Sequence, residues 1–295
     1  MMFTILLASV LTLACGAPGA KVTAETTQRS DFQERDEFNQ TYQLGPGAQV
    51  EIAGIRGTVE IINSDGATAE VKIIRSARNR ADLEHHKIAV EQTGNGLTVR
   101  GVREPEDRRH QNIQVDHKVI LRLPRAIDLS VKSISGWLKG GDIDGPVQVS
   151  SISGSAKMGN VGGKLDVSSI SGNLEVGNVG ADARVKSISG NLRLGQVNGS
   201  LEIMSVSGGL NATLTSLSPA GIQIRSVSGS IEIGFKSDVN ADFKADSVSG
   251  EVYLEVPNVV RDMESKSSNV RARIGAGGTP ITISSVSGNI RFTRS

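Results

Sequence analysis

Cysteine is almost missing from this chain of 295 residues: Cys15 is the single one. No intramolecular disulfide can form, so the fold must hold by packing. Aromatic residues make up only 3%, with Trp137 the one tryptophan, and rings are too few for a dedicated sugar-binding groove. No sign of charge dominates. The 32 Lys and Arg against 31 Asp and Glu are scattered rather than clustered, which excludes a nucleic-acid footprint and a polybasic membrane patch. The apolar run Met1–Ala14 is too short to span a bilayer. There is no Gly-x-Ser-x-Gly elbow, so the many serines offer no recognisable nucleophile. The four histidines, His85, His86, His110 and His117, match no zinc-ligand spacing. Asp142-Ile143-Asp144-Gly145 looks like part of a calcium loop, but Ser153 stands where that loop needs Glu. No cofactor or metal is expected.

What the chain has is a repeat. Ser-Ile-Ser-Gly starts at Ser133, Ser151, Ser169 and Ser187, and Ser-Val-Ser-Gly at Ser205, Ser226, Ser247 and Ser285. A worn copy, Ser265-Lys266-Ser267-Ser268, lies between the last two. The first five copies are spaced 18 residues apart, and the later spacings are 21, 21, 18 and 20. A fixed period of this length marks stacked repeats. Within one repeat, Leu165 and Val167 alternate with polar residues, Ile170 turns the corner before Ser171-Gly172, and Leu174, Val176 and Val179 follow. Strands this short cannot build a core as a hairpin meander. They can as coils of a parallel β-solenoid with six apolar side chains inside. The fold class expected is all-β: a single-stranded, β-helix-like solenoid of 18–21-residue coils, right-handed by the general rule for parallel connections. Val167, Val185 and Ile203 should form one interior column. Asp166, Arg184 and Glu202, and Lys157, Glu175 and Arg193, should form outer columns of alternating sign.

Four segments are expected. Residues 1–20 read as an export signal. Within it, Leu11-Thr12-Leu13-Ala14-Cys15 resembles a lipobox, which would make Cys15 the lipidated first residue; the alternative is ordinary cleavage near Ala17 or Ala20. Residues 21–37, polar and aperiodic, read as a flexible tether. Residues 38–126 read as irregular β coils with one short helix, Asn79 to His86, capped by Asn79. Residues 127–295 are the regular coils, with insertions near Ser216–Ala220 and Lys236–Ala241.

The Ser-Ile/Val-Ser-Gly corners, the apolar-x-apolar strands beside them and the start Phe38-Asn39-Gln40-Thr41-Tyr42-Gln43-Leu44-Gly45-Pro46-Gly47 together resemble the bacterial "putative adhesin" family of exported repeat proteins. That resemblance implies a β-solenoid at the cell envelope and no established activity. The function expected is a non-catalytic, adhesin-like structural or binding module of the cell envelope, lipid-anchored, whose partner is an envelope protein or a surface ligand. It would touch membrane only through the lipid. An envelope stress or regulatory component binding another protein is the alternative, and a carbohydrate-active β-helix enzyme is a third reading.

Two side chains stand out as contact residues. Trp137 occupies an outward slot held elsewhere by Ser155, Asn173 and Asn191; as a contact it competes with packing over the coil edge. Phe292 belongs to a final coil expected to expose Ile281, Ile283, Ile290 and Phe292 at an open end. That end would be covered by the short tail, by a partner or by end-to-end self-association.

Overall fold

The computed structural model describes residues 34–103 and 115–294. The N-terminal part holds β1 (Glu34–Gln43), β2 (Ala48–Ala53), β3 (Arg56–Ser64), β4 (Thr68–Ala77), α1 (Arg80–His85), β5 (His86–Thr93), β6 (Gly96–Arg103), β7 (Val115–Pro124) and the long β8 (Ile127–Lys139). Strand pairs then follow coil by coil: β9 (Val147–Ser153) with β10 (Ala156–Met158), β11 (Leu165–Ser171) with β12 (Leu174–Val176), and β13 (Ala183–Ser189) with β14 (Leu192–Val197). Next come β15 (Leu201–Ser207) with β16 (Leu210–Leu214) and β17 (Ile222–Ser228) with β18 (Ile231–Phe235). The C-terminal part comprises β19 (Ala241–Ser249), β20 (Val252–Glu255), β21 (Val259–Arg261), β22 (Asn269–Ile274), β23 (Thr279–Ser287) and β24 (Ile290–Arg294).

The chain is a parallel β-solenoid. β9, β11, β13, β15 and β17 pair in parallel along one side, and β10, β12, β14, β16 and β18 along a second. The bridges Ile143–Val161–Val179–Val197 mark a third. The six apolar positions of the repeat, Leu165, Val167, Ile170, Leu174, Val176 and Val179, are all buried. Val167, Val185 and Ile203 stand in register inside. Outside, Asp166–Arg184–Glu202 and Lys157–Glu175–Arg193 form the two charged columns. Arg184 and Glu202 approach to 2.7 Å and Lys157 and Glu175 to 2.8 Å. Exposed as they are, these pairs fix register more than they add stability.

The corner glycines explain why the motif ends as it does. Gly136, Gly154, Gly172, Gly190, Gly208 and Gly229 all have positive φ. A Cβ on Gly154 would lie 1.9 Å from the carbonyl oxygen of Gly136, and one on Gly172 2.1 Å from that of Gly154. The column admits only glycine. It reaches back to Gly57, whose oxygen lies 2.0 Å from the Cβ position of Gly136, so Gly54-Ile55-Arg56-Gly57 is an early corner.

Asparagine and aspartate hold the other turns. The side-chain oxygen of one coil accepts the backbone N–H of the next, from Asn63 through Asp142, Asn160 and Asn178 to Gln196. A second ladder runs from Ser155 through Asn173 and Asn191 to Gly209. Asp142 is the second rung of the first ladder and also pairs with Arg125 at 2.5 Å, so its carboxylate is committed to the turn rather than to a calcium ion.

The ends depart from the expected order. β23 pairs in parallel with both β17 and β19, and β24 with both β18 and β20. The final coil is therefore inserted one level in, with Gly288 stacked between Gly229 and Gly250. The link Lys236–Asn240, expected as a surface bulge, spans the level that this coil fills. The other end mirrors it: β2 lies between β6 and β8, and β3 between β7 and β8. Antiparallel strands finish both ends, β5 on β6, β4 on β7 with β1 outermost, and β22 on β19 with β21 outermost. Such closures replace open parallel edges. The worn copy Ser265–Ser268 leads into antiparallel β22 and is no solenoid corner.

The tether expected over residues 21–37 does not hold at Glu34–Glu37, because β1 begins at Glu34 and pairs with β4 along its whole length; residues 21–33 lie outside the described residues. Arg35, Asp36 and Glu37 are an edge strand's charges: Asp36 pairs with Arg75, and Glu37 meets Lys72 at 2.5 Å. Hydrogen bonding by Lys72 holds the Glu37 carboxyl below the usual range. The helix forms as expected, with the Asn79 side chain accepting the N–H of Asp82 at 2.9 Å.

Candidate functional site

Trp137 is 59% exposed. It lies on β8, in register with Thr58 of β3 on one side and one level before Ser155. Ser155, Asn173 and Asn191 each hold the next coil's backbone N–H through a side-chain oxygen. Tryptophan has no such oxygen, so Trp137 forgoes the ladder and turns a large ring toward solvent. Packing over the coil edge does not account for that exposure.

Two positions along the same strand pair lies a recess. Arg56 is in register with Ser135, and Gly57 with both Gly136 and His117. A cavity of about 290 Å³ opens here, bordered by Gly54, Arg56, His86, Lys87, His117 and Ser135. His117 is only 2% exposed, and neither ring nitrogen has a hydrogen-bond partner. An orphaned buried polar group costs about 1–3 kcal/mol. Burial pulls its pKa down to about 4, helped by the nearby charges of His86, Arg75 and Arg56 and opposed by a smaller upward pull from the His86 backbone. The imidazole is neutral at pH 7. Arg75 is anchored by Asp36 and by the carbonyls of Leu83 and His86, while burial raises the carboxyl of Asp116.

The sequence places His86 and His117 31 residues apart on irregular strands, with no spacing signal to join them. His85 stays on the helix, and His110 and Cys15 lie outside the described residues. Among the described residues no group of three or more His, Cys, Asp or Glu side chains is placed to hold a metal.

Phe292 is not a contact residue. It is fully buried between Phe235 and Phe243, with ring centroids 4.7 and 5.0 Å away. Ile281, Ile283 and Ile290 are buried as well, since the final coil has a neighbour on each side. Self-association through these side chains has no surface to use.

The late corners differ from the early ones. Ile134, Ile152, Ile170, Ile188 and Val206 are buried, whereas Val227, Val248 and Val286 are exposed. In these three coils strict alternation turns the serine inward instead. Ser226 donates to the Val206 carbonyl and Ser247 to that of Gly288. The same coils carry Phe235, Phe292 and Phe243 inside, so the interior volume lost at the corner is supplied by rings. Sequence reading treated Ile and Val corners as equivalent and missed this reversal.

No curated protein matches the chain in sequence. Among solved structures it is similar to a putative adhesin from Bacteroides fragilis, with 12% identity, a TM-score of 0.44, and 87% of this chain and 97% of that one covered. A putative adhesin from Parabacteroides distasonis aligns at 11% identity and a TM-score of 0.37, over 87% and 97% of the two chains. A putative lipid binding protein from the same organism aligns at 11% identity and a TM-score of 0.32, over 87% and 96%. The family model for Toastrack DUF4097 matches residues 49–293, most of the solenoid just described, and the chain belongs to that family.

Proposed function

We propose that this protein is a non-catalytic binding scaffold of the bacterial cell envelope, exported and held at a membrane by a lipid on Cys15. Trp137 is the observation that carries the reading. Along the regular coils, turn side chains are engaged in holding one coil to the next. Trp137 breaks that use, and exposes the chain's one indole next to the His117 recess. Repeat proteins place specificity where the repeat is broken while the coils supply length and stiffness. Exposed tryptophans are favoured anchors at interfaces.

A photo-crosslinking side chain at Trp137, compared with one at Asn173, tests this in intact cells. One discrete crosslinked product from position 137, absent from 173, lost with excess wild-type competitor and kept with excess W137A, is the expected pattern. Equal labelling at both positions would defeat the reading. The product's identity separates an adhesive role, with a surface ligand, from an envelope regulatory one, with another envelope protein. For the anchor, C15A should move the protein from the membrane to the soluble envelope fraction. Unchanged fractionation, with no acyl label on wild type, would remove the lipid from the proposal.

A further inference from the structure

The His117 recess has more chemistry than a contact surface needs. Strands β3, β5 and β7 bring Arg56, Lys87 and the neutral imidazole of His117 to one cavity, with Ser135 of β8 at its border. Glycines 54 and 101 border it where a side chain would meet backbone: a Cβ on Gly101 would lie 2.1 Å from the Gly54 oxygen. His117 borders the cavity, and both of its ring nitrogens are buried without a hydrogen-bond partner. Among the described residues, the charged and titratable groups near it are Arg56 from β3, Arg75 from β4, His86 and Lys87 from β5, and Asp116 from β7. Arg75 is already paired with Asp36 of β1. Arg56 brings a guanidinium to the rim, and the buried imidazole donor is unused.

We infer that this recess binds a compact oxyanion, a carboxylate or phosphate group, held by the Arg56 guanidinium at the rim and by an N–H of His117 at the floor. Guanidinium forks match such oxygens in geometry and charge, and a buried imidazole donor without a partner gains one. The inference rests on the reading that recognition sits at this end of the solenoid, but it does not need Trp137. Crosslinking at 137 can fail while oxyanion binding stands, and the reverse.

The experiment is calorimetric titration of the full chain with inorganic phosphate and, separately, acetate, with the His117 ring followed by ¹H–¹⁵N NMR. Expected are one site per chain and a His117 resonance that moves on binding. R56Q, at an exposed position that leaves the core untouched, should weaken binding about tenfold or more, and H117N should weaken it also, while K157Q changes nothing. If binding restores the imidazole to an ordinary histidine pKa, affinity near pH 5.5 should exceed that near pH 7.5 by about tenfold. Absence of binding to both anions overturns the inference. So does binding that leaves the His117 ring unmoved or survives R56Q at full strength. Binding that emerges only in an E104Q/E106Q/D107N chain overturns it as well, because the recess would then serve the protein's own carboxylates.

Discussion

A methyl group on Gly172 would sit 2.1 Å from a backbone oxygen at a φ of +134°. Neither atom is the end of a flexible side chain, so G172A should cost at least about 3 kcal/mol. Gly278 has a φ of +112° but nothing within 4 Å, and G278A should cost only the strain, about 1–2 kcal/mol. Urea unfolding of the two variants measures the contrast; equal costs would mean that the glycine column is conformational preference and not contact. His117 gives a pH signature. Its folded pKa of about 4 lies below the ~6.5 of an unfolded histidine. The unfolded chain takes up the proton first, so stability falls as pH drops from ~6.5 to about 4. The loss should approach about 3 kcal/mol, and H117L should flatten that part of the pH–stability curve. At this scale the sequence is partly legible. Corner glycines, the interior column and the Asn79 cap follow from local pattern. The asparagine ladder was written too, in Asn160–Asn178 and Asn173–Asn191 at the 18-residue spacing, but serine repetition is louder. The His86–His117 meeting depends on pairings between irregular strands, which no local pattern encodes.

Among the elements, the coils ending in phenylalanine behave differently from those before them. The rings of Phe235, Phe292 and Phe243 pack together inside, while the corner valines face out. F292A should therefore cost about 3–5 kcal/mol, read as a shift in the urea midpoint. V286A, at an exposed corner, should stay within about 0.5 kcal/mol. A larger cost for V286A would place that valine in the core and contradict the reversal. The edge strand β1 shows why sequence reading erred at Glu34–Glu37. An edge strand discourages association by carrying charge, and a short charged stretch has the same composition as a tether. The two differ only in whether a neighbour is there to pair, and β4 supplies it.

In the molecule as a whole, the parallel stack was readable because every coil repeats the same spacing. That uniformity also hides which coil neighbours which. β17 fits β23 as well as it would fit β19, since all three present apolar residues at matching positions. Insertion of the final coil is settled by the antiparallel closure of β19 with β22, which occupies the face of β19 a next coil would need. Removing residues 279–295 should therefore not resemble trimming an end repeat. It withdraws two coil–coil interfaces rather than one, and the truncated chain should lose cooperative unfolding in its last third. Limited proteolysis should cut first at Lys236–Asn240; a protease pattern like that of the full chain would show that β19 closes onto β17 unaided.

The place of that last coil also sets a timetable. The chain is ordered from its N-terminus, and in most repeat arrays each coil can settle on the one before it. Here β19 and β20 are made before the layer that belongs beneath them. Until β24 is available, the C-terminal third holds a vacant storey, with Phe235 and Phe243 lacking the ring that lies between them. A chain ended early is thus marked as unfinished in its interior, where chaperones and proteases look for apolar surface. The C-terminal core closes only once β24 is in place.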